Sequence, residues 1–174
     1  MSVLGRPAGR AKLTFAVALV VVSAVFAAWF GWTWRSGSSE AIEFVDARED
    51  VLRVGEEGVS VLNTLDHRNI DAGMDIWLAS STGDLHDTLA RTRDDSRARL
   101  AAAKSTTSAR VLDAAVTELD TVRGLAKLIA AAEISVARDG AQPTVRTRRF
   151  QAELTRTDAG WKLSALAVVH SGSR

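Results

Sequence analysis

Residues 138–169 read RDGAQPTVRTRRFQAELTRTDAGWKLSALAVV, and this stretch decides the fold class. Arg138-Asp139-Gly140 is a hairpin signal, because Asp-Gly tolerates the positive φ angles that a tight turn between antiparallel strands demands. After Pro143, Phe150, Ala152 and Leu154 alternate with Arg149, Gln151, Glu153 and Thr155, the period of a strand with one buried and one wet face. Thr157-Asp158-Ala159-Gly160 supplies the next turn. Beyond it, Trp161, Leu163, Ala165, Ala167 and Val169 are expected to point one way along a second strand.

Upstream, residues 106–136 carry two patterns at once. Val111, Leu112, Ala115, Val116 and Leu119 form one helical face, yet Leu112, Ala114 and Val116 also alternate. Leu128, Ala130, Ala132, Ile134 and Val136 alternate cleanly, while their alanine content favours helix. The turn chemistry on the C-terminal side tips both segments toward strands, giving a meander of about four antiparallel strands.

Residues 40–103 read differently. Phe44, Val51, Gly58 and Leu65 recur at sevens, flanked by Ala47, Val54 and Val61, as on one apolar face of a long helix. Gly55 and Gly58 each weaken such a helix by about 1 kcal/mol relative to alanine, so tight packing or a bend is expected there. A polar break, DHRNID at residues 66–71, ends in Asp71, expected to cap a short helix carrying Met74, Ile76, Trp77 and Leu78. A third helix is expected over residues 84–104, with Leu85, Leu89, Ser96, Leu100 and Ala103 inward. Three helices followed by a meander of about four antiparallel strands describe an α+β domain with helices covering one face of a curved sheet.

The N-terminal segment decides location. Residues 13–34, LTFAVALVVVSAVFAAWFGWTW, contain no charge and match a hydrocarbon layer of about 30 Å at helical rise. Leu13, Phe15, Val20, Val21, Val22, Phe26 and Phe30 supply the apolar wall, and Trp29, Trp32 and Trp34 crowd the end where indoles favour a headgroup interface. Arg6, Arg10 and Lys12 precede the span without an acid, whereas Glu40, Glu43, Asp46, Glu49 and Asp50 follow it. The positive-inside bias therefore places the N-terminus in the cytoplasm and the rest outside the plasma membrane, on a single pass. A cleaved signal peptide shares the basic start, but the apolar run exceeds the usual ~7–15 residues and lacks a small-x-small site. The expected organisation is a cytoplasmic tail over 1–12, a span over 13–34, a Gly/Ser linker over 35–39, an extracytoplasmic domain over 40–170 and a tail over 171–174.

Composition narrows the chemistry. The chain has 174 residues and a formal charge of +1, which gives no electrostatic case for nucleic acid. With no cysteine there is no disulfide, thiolate site or cysteine nucleophile, and with no tyrosine one common electrophile for sterol-type acid–base chemistry is missing. The acid–base candidates reduce to His67, His86, His170, Asp66, Asp71, Asp75 and Asp113. His67 in a polar turn and His170 in the tail read as surface groups, Asp87 beside His86 is explained by the helix dipole, and Asp75 near Trp77 is the one pairing worth testing. The histidines lack metal-ligand spacing and no glycine run has phosphate-loop context, so no catalytic, metal or cofactor site is assigned. Arg138, Arg146, Arg148 and Arg149, with Arg156, form the one charge cluster. They suit contact with anionic lipid or an acidic partner, or the guarding of an edge strand.

In the order of these parts the chain resembles the actinobacterial Mce-associated membrane proteins, companions of the Mce lipid importers. The resemblance rests on 62–67 (LNTLDH), 81–85 (STGDL), 138–140 (RDG) and 158–163 (DAGWKL). It implies a cystatin-like cone of the nuclear-transport-factor-2-like type, similar also to extracytoplasmic scaffolds of type IV secretion machines. It further implies an accessory subunit, without catalysis or cofactor, that assists a lipid or sterol transport complex. Two alternatives stay open: a tethered lipid-binding module or isomerase/dehydratase-like enzyme using the cone, and a self-associating scaffold.

Overall fold

A computed structural model describes residues 43–138 and 141–169. The candidate span, its linker and His170 lie outside these residues, and among the described residues no helix is long and apolar enough to cross a membrane. Helix α1 occupies residues 43–62. It is followed by α2 (Ile70–Ser80), α3 (Gly83–Arg91), α4 (Arg93–Ala103) and four strands, β1 (Ser105–Asp120), β2 (Leu125–Arg138), β3 (Thr144–Thr157) and β4 (Gly160–Val169). The strands form one antiparallel sheet in the order β1-β2-β3-β4. The expected α+β architecture and its meander are both present.

The core lies on one face of the sheet. Ala126, Leu128, Ala130, Ala132 and Ile134 of β2, Phe150, Ala152 and Leu154 of β3, and Trp161 and Leu163 of β4 meet Val51 and Val59 of α1. Full burial of each large apolar side chain contributes about 1.5–3 kcal/mol. Alanines on the strands and glycines on α1 let helix and sheet approach closely. A Cβ built on Gly55 would overlap Leu128 Cδ2, and one on Gly58 would overlap Leu163 Cδ1. Of the two expected explanations for these glycines, tight packing is the one observed.

The sheet departs from strict alternation at three points, each with one extra residue. Val111 pairs with Ala132 and Asp113 with Ala131, so Leu112 is unpaired, and Thr117 is likewise extra between Val116 and Glu118. The inward set on β1 is therefore Ala109, Val111, Ala114, Val116 and Leu119, all packed against the core. On β4, Leu163 pairs with Leu154 and Ala165 with Glu153, leaving Ser164 extra. The expectation that Trp161, Leu163, Ala165, Ala167 and Val169 share a face is thus corrected. Trp161 and Leu163 point inward, the bulge reverses the phase, and Leu166 packs on the core while Ala167 and Val169 are exposed.

The helices also need correction. The single helix expected over 84–104 is two, broken at Thr92, whose Oγ1 donates to the Thr88 carbonyl at 2.8 Å. A back-bonded, β-branched residue favours a bend of this kind. Neither α3 nor α4 has a fully buried residue; Leu85 packs against the core edge, and Ala103 is exposed. Asp71 does not cap α2. Asn69 occupies the N-cap position without a side-chain bond, and Asp71 lies in the first turn.

Long-range bonds fasten this layer to the sheet. Leu65 and Thr107 exchange backbone hydrogen bonds at 2.8 Å, and the Thr82 N–H donates to the Leu163 carbonyl at 2.8 Å. Ser60 Oγ donates to the Ala109 carbonyl at 2.8 Å. Together with Gly55 on Leu128, these fix the direction of α1. Its C-terminal end lies by Thr107 and Val136, and its earlier turns point toward the β1–β2 turn.

Candidate functional site

The acid–base candidates do not converge. Asp75, singled out for its place beside Trp77, is exposed and paired with Arg93, Oδ1 to Nη2 at 2.7 Å. Asp71 accepts two bonds from Arg97, Nε to Oδ1 at 2.8 Å and Nη2 to Oδ2 at 3.1 Å. The Arg97 guanidinium holds the Asp71 carboxyl below its ordinary value, and Asp71 in turn raises Arg97. These two ion pairs tie α2 to the α3–α4 region across their solvent faces, a positioning role that needs no substrate.

Trp77 has a role that spacing does not reveal. Its indole N–H is shared between the carbonyls of Val61 at 2.9 Å and Thr64 at 3.2 Å, at the end of α1 and in the turn that follows it, where helix geometry supplies fewer donors. Trp77→Phe keeps the ring and removes the donor. It is expected to lower unfolding stability by about 1–2 kcal/mol in urea titration, and an unchanged midpoint would deny the indole this capping function.

Asp66 and His67 do come together, with a residue the sequence did not single out. Thr106 Oγ1 donates to Asp66 Oδ1 at 3.0 Å and lies 3.1 Å from His67 Nδ1, the geometry of an imidazole N–H donating to the hydroxyl. The backbone N–H of Arg68, bonded to Asp66, is the main cause that lowers the Asp66 carboxyl, with the Thr106 hydroxyl and nearby positive charge adding to it. The His67 side chain is only 16% exposed, so the surface reading of this histidine is corrected; the turn folds it against the start of β1. A hydroxyl that donates to the carboxylate is not poised as a nucleophile activated by histidine. The group instead clamps residues 63–69 to the sheet. His86 Nδ1 lies 3.0 Å from the Leu78 carbonyl, a link between α3 and α2.

Concavities lie at the rims and on the open face of the sheet. One of about 280 Å³ is a shallow depression on the outer face, floored by Ile129 and Ala131 between Asp113 and Arg149. A second, of about 440 Å³, adjoins the β1–β2 turn by Asp120 and Arg123. The third, of about 330 Å³, sits beside the β2–β3 connection, where Ile134 and Val136 form the floor and Arg138, Arg146 and Arg148 the walls, with Gln142 and Thr144.

The arginine cluster is thus divided. Arg146 and Arg148 lie opposite Ile134 and Ala132 on the inner face, whereas Arg149 pairs with Ala131 and belongs to the outer face. Successive side chains of a strand point to opposite sides, so adjacency in sequence separates Arg148 from Arg149 in space. Arg156 lies beyond the core, its backbone N–H donating to the Gly124 carbonyl at 2.8 Å near the far turn. Among the described residues no group of three His, Asp or Glu side chains is placed to hold a metal.

No protein-family model and no curated protein sequence matches the chain. Solved structures do. An IcmL-like type IV secretion system protein from Legionella pneumophila aligns at 10% identity and a TM-score of 0.57, over 73% of this chain and 96% of that one. The periplasmic domain of DotI aligns at 13% and 0.58, over 68% and 92%. CagV from Helicobacter pylori, a VirB8 homologue of a type IV secretion system, aligns at 12% and 0.54, over 70% and 97%. The domain has their fold. At these identities the likeness establishes architecture, helices packed on a curved four-stranded antiparallel sheet, and leaves function to be argued from the residues.

Proposed function

We propose that this chain is a single-pass, plasma-membrane-anchored accessory subunit whose extracytoplasmic domain acts by protein contact within an envelope complex, without catalysis or cofactor. The observation that carries this reading is the filling of the cone. Leu128, Leu154, Leu163, Val51 and Val59 are each at most 1% exposed, and the space between α1 and the sheet is packed with side chains. Asp66, Asp71 and Asp75 are committed to a turn bond or to ion pairs, and Asp113 lies at the shallow depression on the outer face. The periplasmic domain of DotI shares the fold, which agrees with a domain working outside the membrane.

The finer proposal is that the complex is an Mce-type lipid importer, supported by the sequence resemblance alone.

Affinity capture from solubilised membranes at native expression is expected to recover Mce lipid-transfer subunits or their permease. Recovery of other envelope proteins would retain the accessory role and remove the Mce assignment, and recovery of this chain alone would contradict both.

A second reading, self-association, is favoured by one observation. The outer face carries Ile129 at 50% and Val169 at 44% exposure beside small residues, an apolar surface that no helix among the described residues covers. Crosslinking in membranes separates contacts between copies from contacts with other chains.

A further inference from the structure

We infer that the segment of β3 over residues 144–148 is a strand-addition site for an extended segment of a partner protein that alternates acidic and apolar residues. The inference gives the proposed accessory role a docking surface, and it stands on its own geometry. Strand β3 pairs with β2 from Thr144 onward, because Val136 lies opposite Thr144. Its pairing with β4 begins only at Arg149, opposite Val169. Among the described residues, 144–148 therefore have one backbone edge paired and the other open, a length of about 17 Å at strand rise. An open edge offers N–H and C=O groups in the spacing that an incoming strand completes.

The side chains specify what kind of strand. On the inner side, Arg146 and Arg148 flank the cleft of about 330 Å³ and Arg138 closes it across the β2–β3 connection. None of the three has a carboxylate partner among the described residues, whereas Arg53, Arg93, Arg97, Arg110 and Arg123 all do. Charges that only guard an edge are solvated on a convex surface. These three converge on a concave one floored by Ile134, which is 8% exposed, and by Val136. On the opposite side the same edge presents Val145, 56% exposed, and Thr147. A strand laid beside 144–148 thus meets guanidinium groups with every second residue and an apolar or hydroxyl surface with the others.

The test uses the full chain in non-ionic detergent and a fluorescent eight-residue peptide alternating glutamate and valine, followed by anisotropy. Saturable binding is expected. It weakens about ten-fold or more in the Arg146→Glu/Arg148→Glu variant, and equally when alternate peptide nitrogens are methylated, while Arg149→Glu on the other face binds as before. Both arginines are exposed, so the variant folds, and its circular dichroism provides the check. Absence of binding, indifference to the arginine pair, or undiminished binding of the methylated peptide overturns the inference. It is also overturned if phosphatidylglycerol vesicles, and not the peptide, bind through the same two arginines. A chain ending at Val169 that binds the peptide ten-fold more tightly than the full chain would assign the edge to residues 170–174 and overturn it as well. Failure of the peptide leaves the membrane capture result unaffected, so the two proposals fall separately.

Discussion

Phe150→Ala is expected to lower the unfolding free energy by about 3–5 kcal/mol, the largest loss for any single truncation in the domain. Phe150 is the largest side chain that is almost fully buried, 2% exposed, and it lies on β3 between Ala130 of β2 and Val168 of β4. Large-to-small substitution costs the transfer free energy of the lost atoms together with the cavity that remains, and the second part depends on whether neighbours can move in. Here the strand neighbours Ala130, Ala132 and Ala152 have only a methyl group each to offer, which limits that relaxation. Urea unfolding followed by circular dichroism measures the change, and a loss below about 1 kcal/mol would show that the core is centred elsewhere.

The second large effect is a reversal of sign. Gly58→Ala alone is expected to destabilise, because the added methyl overlaps Leu163, which is 0% exposed and held between α1 and the sheet. Overpacking costs about 1–3 kcal/mol, set against about 1 kcal/mol gained by alanine in a helix. Leu163→Ala alone costs about 2–5 kcal/mol through a cavity. In the Leu163→Ala background the overlap is gone and the cavity has room for the methyl, so Gly58→Ala there becomes neutral or raises stability by up to about 1 kcal/mol. The double-mutant cycle isolates this coupling. If the two losses simply add, the close approach of α1 to β4 is not what the glycine serves.

These packing features explain which parts of the fold could be read from sequence. Strand β3 was legible because Phe150, Ala152 and Leu154 alternate without interruption between two turn signals. Strand β1 was ambiguous for a definite reason. The bulges at Leu112 and Thr117 space its inward residues as 109, 111, 114, 116 and 119, a pattern that partly imitates a helix face. The extra residue at Ser164 turned a correct strand into a wrong assignment of faces, since a shift of one residue exchanges the two sides. The break at Thr92 depends on a single hydroxyl bonding back to Thr88, and no periodicity signals that.

The candidate groups were legible only in part. Arg138, Arg146 and Arg148 could be picked out as charges, but their convergence needs the register of β2 against β3, and the floor of Ile134 and Val136 belongs to the partner strand. Trp77 was noticed for the wrong neighbour. Its partners are carbonyls of residues 61 and 64, brought near by the turn at 63–69, and a bond from side chain to distant backbone leaves no mark in composition or spacing.

That the folded domain works outside the membrane while held by a retained N-terminal span is tested most directly by accessibility. The chain has no cysteine, so Val122→Cys provides a single thiol, at a residue 95% exposed in the β1–β2 turn. Spheroplasts carrying this variant are treated with a charged maleimide that does not cross the membrane. Full labelling before lysis, on a protein of full length that sediments with membranes, is the expected result. Labelling only after lysis, or recovery of the chain in the soluble fraction, would contradict it.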